Sequence, residues 1–267
     1  RQRQMCIRDR RNTLYATVSK GYKAGGFNTQ MFSDVLQQQV MKQMGFGSLY
    51  DVADVVTYKP EKSWNYEVGA HLSTPSHKVQ ADLALFYIDC RDQQLTVFPE
   101  GQITGRLMTN AGRTRSFGGE ASLLATLWRN LDLQVAYGYT RATFVKFDTG
   151  KADYAGNFIP YAPQHTLYAG ASYTLRTGWN WLEYVIFRVA ANGAGRIYWN
   201  EANTFSQPFY ALLEASIRFE HRHWAVDVWG RNLTDTRYDT FYFMSIGNSF
   251  LQRGRPRTFG VSLSITL

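Results

Sequence analysis

The sequence predicts an all-β fold, a transmembrane antiparallel up-and-down β-barrel to which this chain contributes about ten strands. Three observations predict it. Apolar and polar residues alternate with period two over segments longer than the roughly 5 or 6 residues usual in soluble strands. The connections between these segments are alternately short and long, as in barrels with tight turns on one side of a membrane and broad loops on the other. No apolar run approaches the roughly 20 residues that a membrane helix requires, which excludes a helical membrane protein.

Alternation also reconciles a mean hydropathy of −0.33 with a membrane location, because every lipid-facing residue is followed by a polar one. The 17 Tyr, 17 Phe and 7 Trp suit aromatic girdles at the two interfaces.

Residues 1–11 show neither an apolar core nor alternation, and are expected to be a non-native or unstructured start. The first strand begins near Thr13. A long connection over 23–60 follows, within which Leu36, Val40 and Met44 share a helical face and Gly45 can end a short helix over 33–44. Trp64, Tyr66, Val68, Ala70 and Leu72 then oppose Asn65, Glu67, Gly69, His71 and Ser73. A Thr74–His77 turn returns the chain into Val79, Ala81, Leu83, Leu85 and Tyr87, so the pair is a hairpin with one oily side. Gly118 and Gly119 are expected to permit a bend or bulge in the next long strand.

The same grammar recurs at Leu131–Tyr139, Leu167–Leu175, Phe209–Phe219 and Trp224–Val228, with all charges in these runs on one face. Arg or Lys on the other face would cost about 2–4 kcal/mol at the bilayer midplane. Short turns are expected near Thr74–His77, Trp128–Asn130, Arg176–Trp181 and Glu220–His223. Long loops are expected near 23–60, 94–109, 147–161, 193–207 and 242–254. The closing segment, Phe259 to Leu267, alternates without a break.

Five stretches carry a family resemblance: Ser19–Asn28 (SKGYKAGGFN), Tyr58–Gly69 (YKPEKSWNYEVG), Asn110–Glu120 (NAGRTRSFGGE), Asn232–Tyr238 (NLTDTRY) and Gly254–Gly260 (GRPRTFG). In order and spacing they resemble the TonB-dependent outer-membrane receptors. The resemblance implies a 22-stranded barrel of which 12–267 is the carboxyl-terminal portion, with the plug domain absent. It further implies energised import of a scarce small molecule, most often an iron–siderophore chelate, in the outer membrane of a Gram-negative bacterium. The partners implied are outer-membrane lipid and lipopolysaccharide, the barrel-assembly machinery, and the TonB complex acting through the missing amino-terminal region. Leu267 stands where the family usually ends in an aromatic residue.

Physical reasons attach to several motif residues. Proline at position 60 has no ladder donor to lose at a strand head, and Asn65 and Glu67 fall on the wet face. Asn232 and Asp235 suit a ladder end where their side chains bond to local backbone, and Tyr238 suits a girdle.

Enzymatic chemistry finds no footing. Asp89, Asp92, Glu120 and Asp132 are spread over several strands, so spacing supports no acid–base pair, and no catalytic residue is assigned. His221 and His223 share one side of an extended segment without a third ligand nearby in sequence, and no metal or cofactor is expected. Asn192–Gly195 lacks the lysine and helix of a phosphate loop and reads as a flexible strand top. The net charge of +8 is scattered and accompanied by no nucleic-acid-binding motif, so nucleic acid is not an expected partner.

Ligand capture is expected on the long loops, where aromatics and cations can hold a chelate. The candidates are Phe27 and Asn28 on the first loop, Tyr198 and Trp199 on the fourth, and Tyr242, Phe243, Arg253 and Arg255 around the last. A passive pore or small self-closed barrel, and a soluble carbohydrate-binding β-domain, are the alternatives that the pattern leaves open.

Overall fold

The computed structural model describes residues 3–8, 12–29, 43–44, 56–76, 78–97, 107–128, 130–149, 152–245 and 248–266. Eleven strands form one antiparallel sheet in chain order. They are β1 (Arg3–Arg8), β2 (Thr13–Lys23), β5 (Glu61–Ser73), β6 (Val79–Val97), β7 (Leu107–Thr126), β8 (Leu131–Lys146), β9 (His165–Trp179), β10 (Leu182–Gly195), β13 (Tyr210–His221), β14 (Trp224–Arg231) and β17 (Thr258–Ile265). Three two-stranded pairs decorate the long connections: β3 (Gly26–Phe27) with β4 (Thr57–Tyr58), β11 (Ile197–Tyr198) with β12 (Ser206–Gln207), and β15 (Asp239–Ser245) with β16 (Asn248–Arg253). β1 and β17 occupy the two ends of the sheet order.

From Thr13 onward the sheet contains the ten strands that the alternation predicts. The remaining one lies within the expected unstructured start: Arg3–Arg8 pairs with β2 from Arg3 opposite Val18 to Arg8 opposite Thr13. Alternation is not needed for this, because the free edge of β2 offers backbone donors and acceptors to any extended segment. The helix expected over 33–44 lies outside the described residues apart from Gln43 and Met44.

Connections alternate as expected. The tight turns fall between β5 and β6, β7 and β8, β9 and β10, and β13 and β14. In the first, Thr74 N–H donates to the Val79 carbonyl at 2.9 Å and Val79 N–H donates to Thr74 Oγ1 at 3.1 Å. The last long loop is wider than predicted, over 232–257, because β14 ends at Arg231 and β17 begins at Thr258, and the fourth sits a little later, over 196–209, because β10 continues through the Asn192–Gly195 stretch. That stretch is not a flexible top: Ala194 pairs with both Thr166 and Tyr210, and Gly193 leaves room for the Phe209 ring, 2.6 Å from where a Cβ would stand.

The Gly118–Gly119 pair is likewise corrected. Register on both neighbours runs unbroken through it, and the irregularity lies between Arg113 and Thr114. Glycine is required at 118 for close approach, since a Cβ there would fall on the Tyr139 carbonyl oxygen.

Burial is inverted relative to a soluble sheet. The odd-numbered apolar residues of β8, β9, β10, β13 and β17 form one continuous face, and large ones such as Val135, Tyr173, Val189, Ile217 and Leu263 are exposed on it. The opposite face carries Glu67, Asp82, Glu120, Asp132, Arg188, Glu214 and Asp227. Exposed Trp128, Trp179 and Trp181 mark the short-turn end, the last two stacked at 5.3 Å between centroids. Trp64, Tyr66, Tyr87 and Phe117 mark the other end. An apolar belt between aromatic rims on one face of an antiparallel sheet is the surface that a bilayer demands.

The small packed core lies at the long-loop end, where Ala111, Ala142, Phe144, Phe147 and Ile159 are buried together. The 147–159 segment folds back along β8 to close it, with Ile159 N–H donating to Ala142 O at 3.0 Å and Gly156 N–H to Phe144 O at 2.9 Å.

Candidate functional site

Three long connections converge at the end opposite the tight turns. Asn203 joins two of them: its Oδ1 accepts from Phe158 N–H at 2.7 Å and its Nδ2 donates to Phe158 O at 2.9 Å, so one side chain completes a strand-like pair of bonds. Asn157 Nδ2 adds a bond to Glu201 O at 2.9 Å. The third connection is tied in by Gln207, whose Oε1 accepts from Asp239 N–H at 2.9 Å, and by Tyr161, whose hydroxyl donates to Tyr242 O at 3.1 Å.

Aromatic rings fill the space that these bonds frame. Phe158 stacks on Tyr198 at 5.2 Å, Tyr161 meets Trp199 at 5.5 Å and Phe241 at 5.6 Å, and Phe205 stacks on Tyr242 at 4.6 Å. Phe243 continues the series onto Phe250 at 4.9 Å. Each such pair adds about 0.5–1.5 kcal/mol beyond its area, so the loops hold one another in a rigid platform.

Burial pushes the Tyr161 hydroxyl up to about 12, and the Glu201 charge adds to the shift. Glu201 itself is raised above the usual carboxylate range by burial, partly offset by a bond from its own backbone. Burial in the platform thus disfavours ionisation of both Tyr161 and Glu201.

The expected ligand-contacting residues separate into two places. Tyr198, Trp199, Tyr242 and Phe243 come together in the platform, with Trp199 only 7% and Tyr242 only 8% exposed. Arg253 lies opposite Asp239 at the base of the β15–β16 pair, and exposed Arg255 follows it. Phe27 and Asn28 lie elsewhere, beside β7. Phe27 is well exposed, whereas Asn28 is 2% exposed: its Nδ2 donates to Met108 O and its Oδ1 accepts from Met108 N–H, both at 2.8 Å.

Sequence reasoning missed the clamp beside Asn28. Asn110 Oδ1 accepts from Lys59 N–H at 2.7 Å, and Gln94 Nε2 donates to Ala24 O at 2.7 Å. Glu61 Oε2 accepts from Gln94 N–H at 2.9 Å. The stretches Tyr58–Gly69 and Asn110–Glu120 thus pin the first loop to the sheet. Their signal was an amide or carboxylate at each strand head, where side chains can stand in for ladder partners.

Asn232–Tyr238 does similar work at the last loop. Asn232, with a left-handed φ of 49°, accepts from Thr236 N–H at 2.9 Å and donates to Arg255 O at 3.1 Å. Asp235 accepts from Arg257 N–H at 3.1 Å. Tyr238 is not in a girdle; it stacks on Tyr210 at 4.4 Å and packs so closely on Gly254 that a side chain there would enter the ring.

On the inward face an open concavity of about 520 Å³ is lined by Asp132, Gln134, Arg188, Glu214, Asp227 and Trp229. Among the described residues no three His, Cys, Asp or Glu side chains are grouped as a metal site. His221 and His223 lie near a tight turn with ring centroids 5.9 Å apart, and His221 stacks on Trp224.

Residues 9–233 match the model of the TonB dependent receptor-like β-barrel family. This chain belongs to that family. Pesticin receptors of Yersinia pestis and Yersinia enterocolitica are 26% and 27% identical to it over 258 residues, covering 94% of this chain and 33% of theirs. The chain therefore spans about a third of the length of these relatives. The crystal structure of the ferric yersiniabactin uptake receptor FyuA from Yersinia pestis superposes with a TM-score of 0.74 at 23% identity, over 96% of this chain and 35% of that one. BauA, the ferric preacinetobactin receptor from Acinetobacter baumannii, gives 0.67 at 18% identity, over 97% and 35%. At these identities the superpositions speak for the fold, which is that of TonB-dependent receptor walls.

Proposed function

We propose that this chain is part of the lipid-facing wall and ligand-collecting rim of an outer-membrane receptor that imports an iron–siderophore chelate, driven by TonB. The observation that carries this reading is the pairing of two features on one sheet: an exposed apolar belt, and a rigid aromatic platform with nearby arginines at its long-loop end. The first suits a bilayer and the second suits a flat, partly anionic ligand arriving from outside.

In this reading Tyr198 and Phe243 offer ring surface, Arg253 and Arg255 offer charge, and Phe27 offers a second apolar contact across the rim. Trp199, Tyr242 and Asn28 act by holding the loops in position. The chemistry is binding and passage, without bond cleavage. That the Yersinia pestis and Acinetobacter baumannii neighbours are named as receptors for ferric siderophores supports this ligand class. The remaining strands, a plug and the TonB contact belong to the rest of the receptor, which closes the wall into a 22-stranded barrel.

Uptake of a labelled ferric siderophore by cells carrying the full-length receptor, with and without TonB, tests the proposal. Uptake that requires TonB is the expected result. Equal uptake in both backgrounds would leave a passive pore as the better account.

A further inference from the structure

We infer that Tyr161 is a positioning residue for ligand capture, a strained pin that holds the β15–β16 hairpin against the two preceding long loops and so sets the fraction of receptors whose rim is assembled. The inference rests on the proposed binding role of the rim and adds to it the residue that controls its assembly.

The backbone singles Tyr161 out. Among the described residues five other than glycine have a left-handed φ: Asp92, Asn203, Asn232, Asp235 and Tyr161. Asn and Asp tolerate that conformation because their short polar side chains bond locally, as Asn203 does to Asn200 O and Asn232 to Thr236 N–H. Tyrosine has no such compensation, and at a φ of 63° its Cβ crowds the following carbonyl. A bulky residue stays there only where its surroundings over-determine it.

Those surroundings are contacts to two other loops. Tyr161 N–H donates to Tyr198 O at 2.8 Å and its ring meets Trp199 at 5.5 Å, which fixes it to the fourth loop. On the other side its hydroxyl donates to Tyr242 O at 3.1 Å and its ring stacks on Phe241 at 5.6 Å, which fixes the hairpin to it. Burial pushes the hydroxyl up to about 12, so it remains a donor throughout the neutral range.

The hairpin depends on such contacts. β15 and β16 form a sheet of their own, with no ladder to the eleven-stranded wall among the described residues. The Phe205–Tyr242 stack and the bond from Asp239 N–H to Gln207 hold it beside Tyr161. Phe243 and Arg253 ride on this hairpin, whereas Tyr198 lies across the joint. Capture by both sides together therefore requires the joint to be closed, and the apparent affinity scales with the closed fraction. Left-handed strain works against closure, which keeps the joint reversible instead of permanently packed.

The test uses the full-length receptor in bilayers, with spin labels at exposed Ala155 and Leu251 reporting the distance across the joint without ligand. The native receptor is expected to give one narrow distance. Tyr161→Ala, which removes the side-chain contacts and keeps the strain, should add a second, longer population. Tyr161→Gly removes the same contacts together with the strain, so its closed-to-open ratio should exceed that of Tyr161→Ala by roughly five- to thirtyfold. In an ordinary backbone conformation glycine is the more disruptive of the two, so this order is the signature of a strained pin. Tyr161→Phe loses only the hydroxyl bond and should lie between native and Tyr161→Ala. Uptake of the labelled ferric siderophore gives the functional readout: across the variants the concentration for half-maximal uptake should rise as the closed fraction falls, with the maximal TonB-driven rate unchanged. Unchanged distances in Tyr161→Ala, a Gly variant more open than the Ala variant, or a lower maximal rate at constant half-saturation would each overturn the inference. If the distances follow the expected order while no ferric siderophore is taken up in a TonB-dependent way, the pin stands and the transport reading alone is lost.

Discussion

The two faces of the sheet are built from the same strands and obey opposite rules. On β8 the outward positions Leu131, Leu133, Val135 and Tyr137 alternate with inward Asp132, Gln134, Ala136 and Gly138. Both faces are open in this structure, so exposure alone does not distinguish them; chemistry does. The outward face carries mainly apolar side chains, with a cross-strand bond between Tyr137 and His165 at 2.7 Å, while the inward face bonds across strands through charged groups, as in His71 with Asp82 at 2.7 Å, Ser122 with Asp82 at 2.9 Å and Tyr15 with Glu67 at 2.8 Å. A solvent that offers no hydrogen bonds on one side, and water or protein on the other, produces this division.

Placing the same charge on each face at one height separates the two faces most sharply. In the full-length receptor, Val135→Arg should lower unfolding stability in bilayers by about 2–4 kcal/mol, measured by denaturant titration. Gln134→Arg, one residue away on the inward face, should change it far less. Comparable losses would mean that the outward face does not meet lipid.

Close approach within the sheet gives the next largest effect. A methyl group at Gly118 would meet the Tyr139 carbonyl and the Phe86 ring, so Gly118→Ala should cost about 1–3 kcal/mol by overpacking. Gly156, with φ of 88° and nothing within reach of a Cβ, should respond through backbone strain alone, by about 1 kcal/mol or so on substitution with Ala. Denaturant midpoints of the two variants check this.

At the rim, Asn232→Ala removes the bonds to Thr236 and Arg255 and leaves buried backbone groups unmatched. A local loss of about 1–3 kcal/mol is expected, seen as faster proteolysis within 232–257 with little change in global unfolding.

Glu201 gives the smallest effect and a defined pH dependence. Its pKa is raised in the folded state, so the protonated form is favoured there. The associated stability is fully present below the unfolded carboxylate value of about 4.3 and is lost as pH rises through the folded value. Glu201→Gln should therefore raise the stability of the 196–209 loop at pH 7 and leave it unchanged near pH 3. Hydrogen exchange at the two pH values checks the sign; stabilisation at low pH only would contradict it.

The strands were legible because period two needs no knowledge of partners. Leu131–Tyr139 reads as a half-apolar strand whatever lies beside it. The rim was much less legible. Asn28, Asn110 and Asn203 each satisfy backbone from a segment 45 to 80 residues away, and nothing local signals which one. The same holds for the stacking of Tyr161 on Phe241 and of Tyr210 on Tyr238. Arg3–Arg8 was illegible for a different reason: edge pairing uses backbone, which all sequences share.

In the proposed receptor the odd-numbered face of β8 meets lipid and the even-numbered face does not. Spin labels placed singly at positions 131 to 138 of the full-length receptor, reconstituted in bilayers, report it through collision with oxygen from the lipid phase and with a water-soluble nickel chelate. Oxygen access is expected to peak at 131, 133, 135 and 137, with nickel access in the opposite phase. Uniform access to the nickel chelate across all eight positions would contradict it.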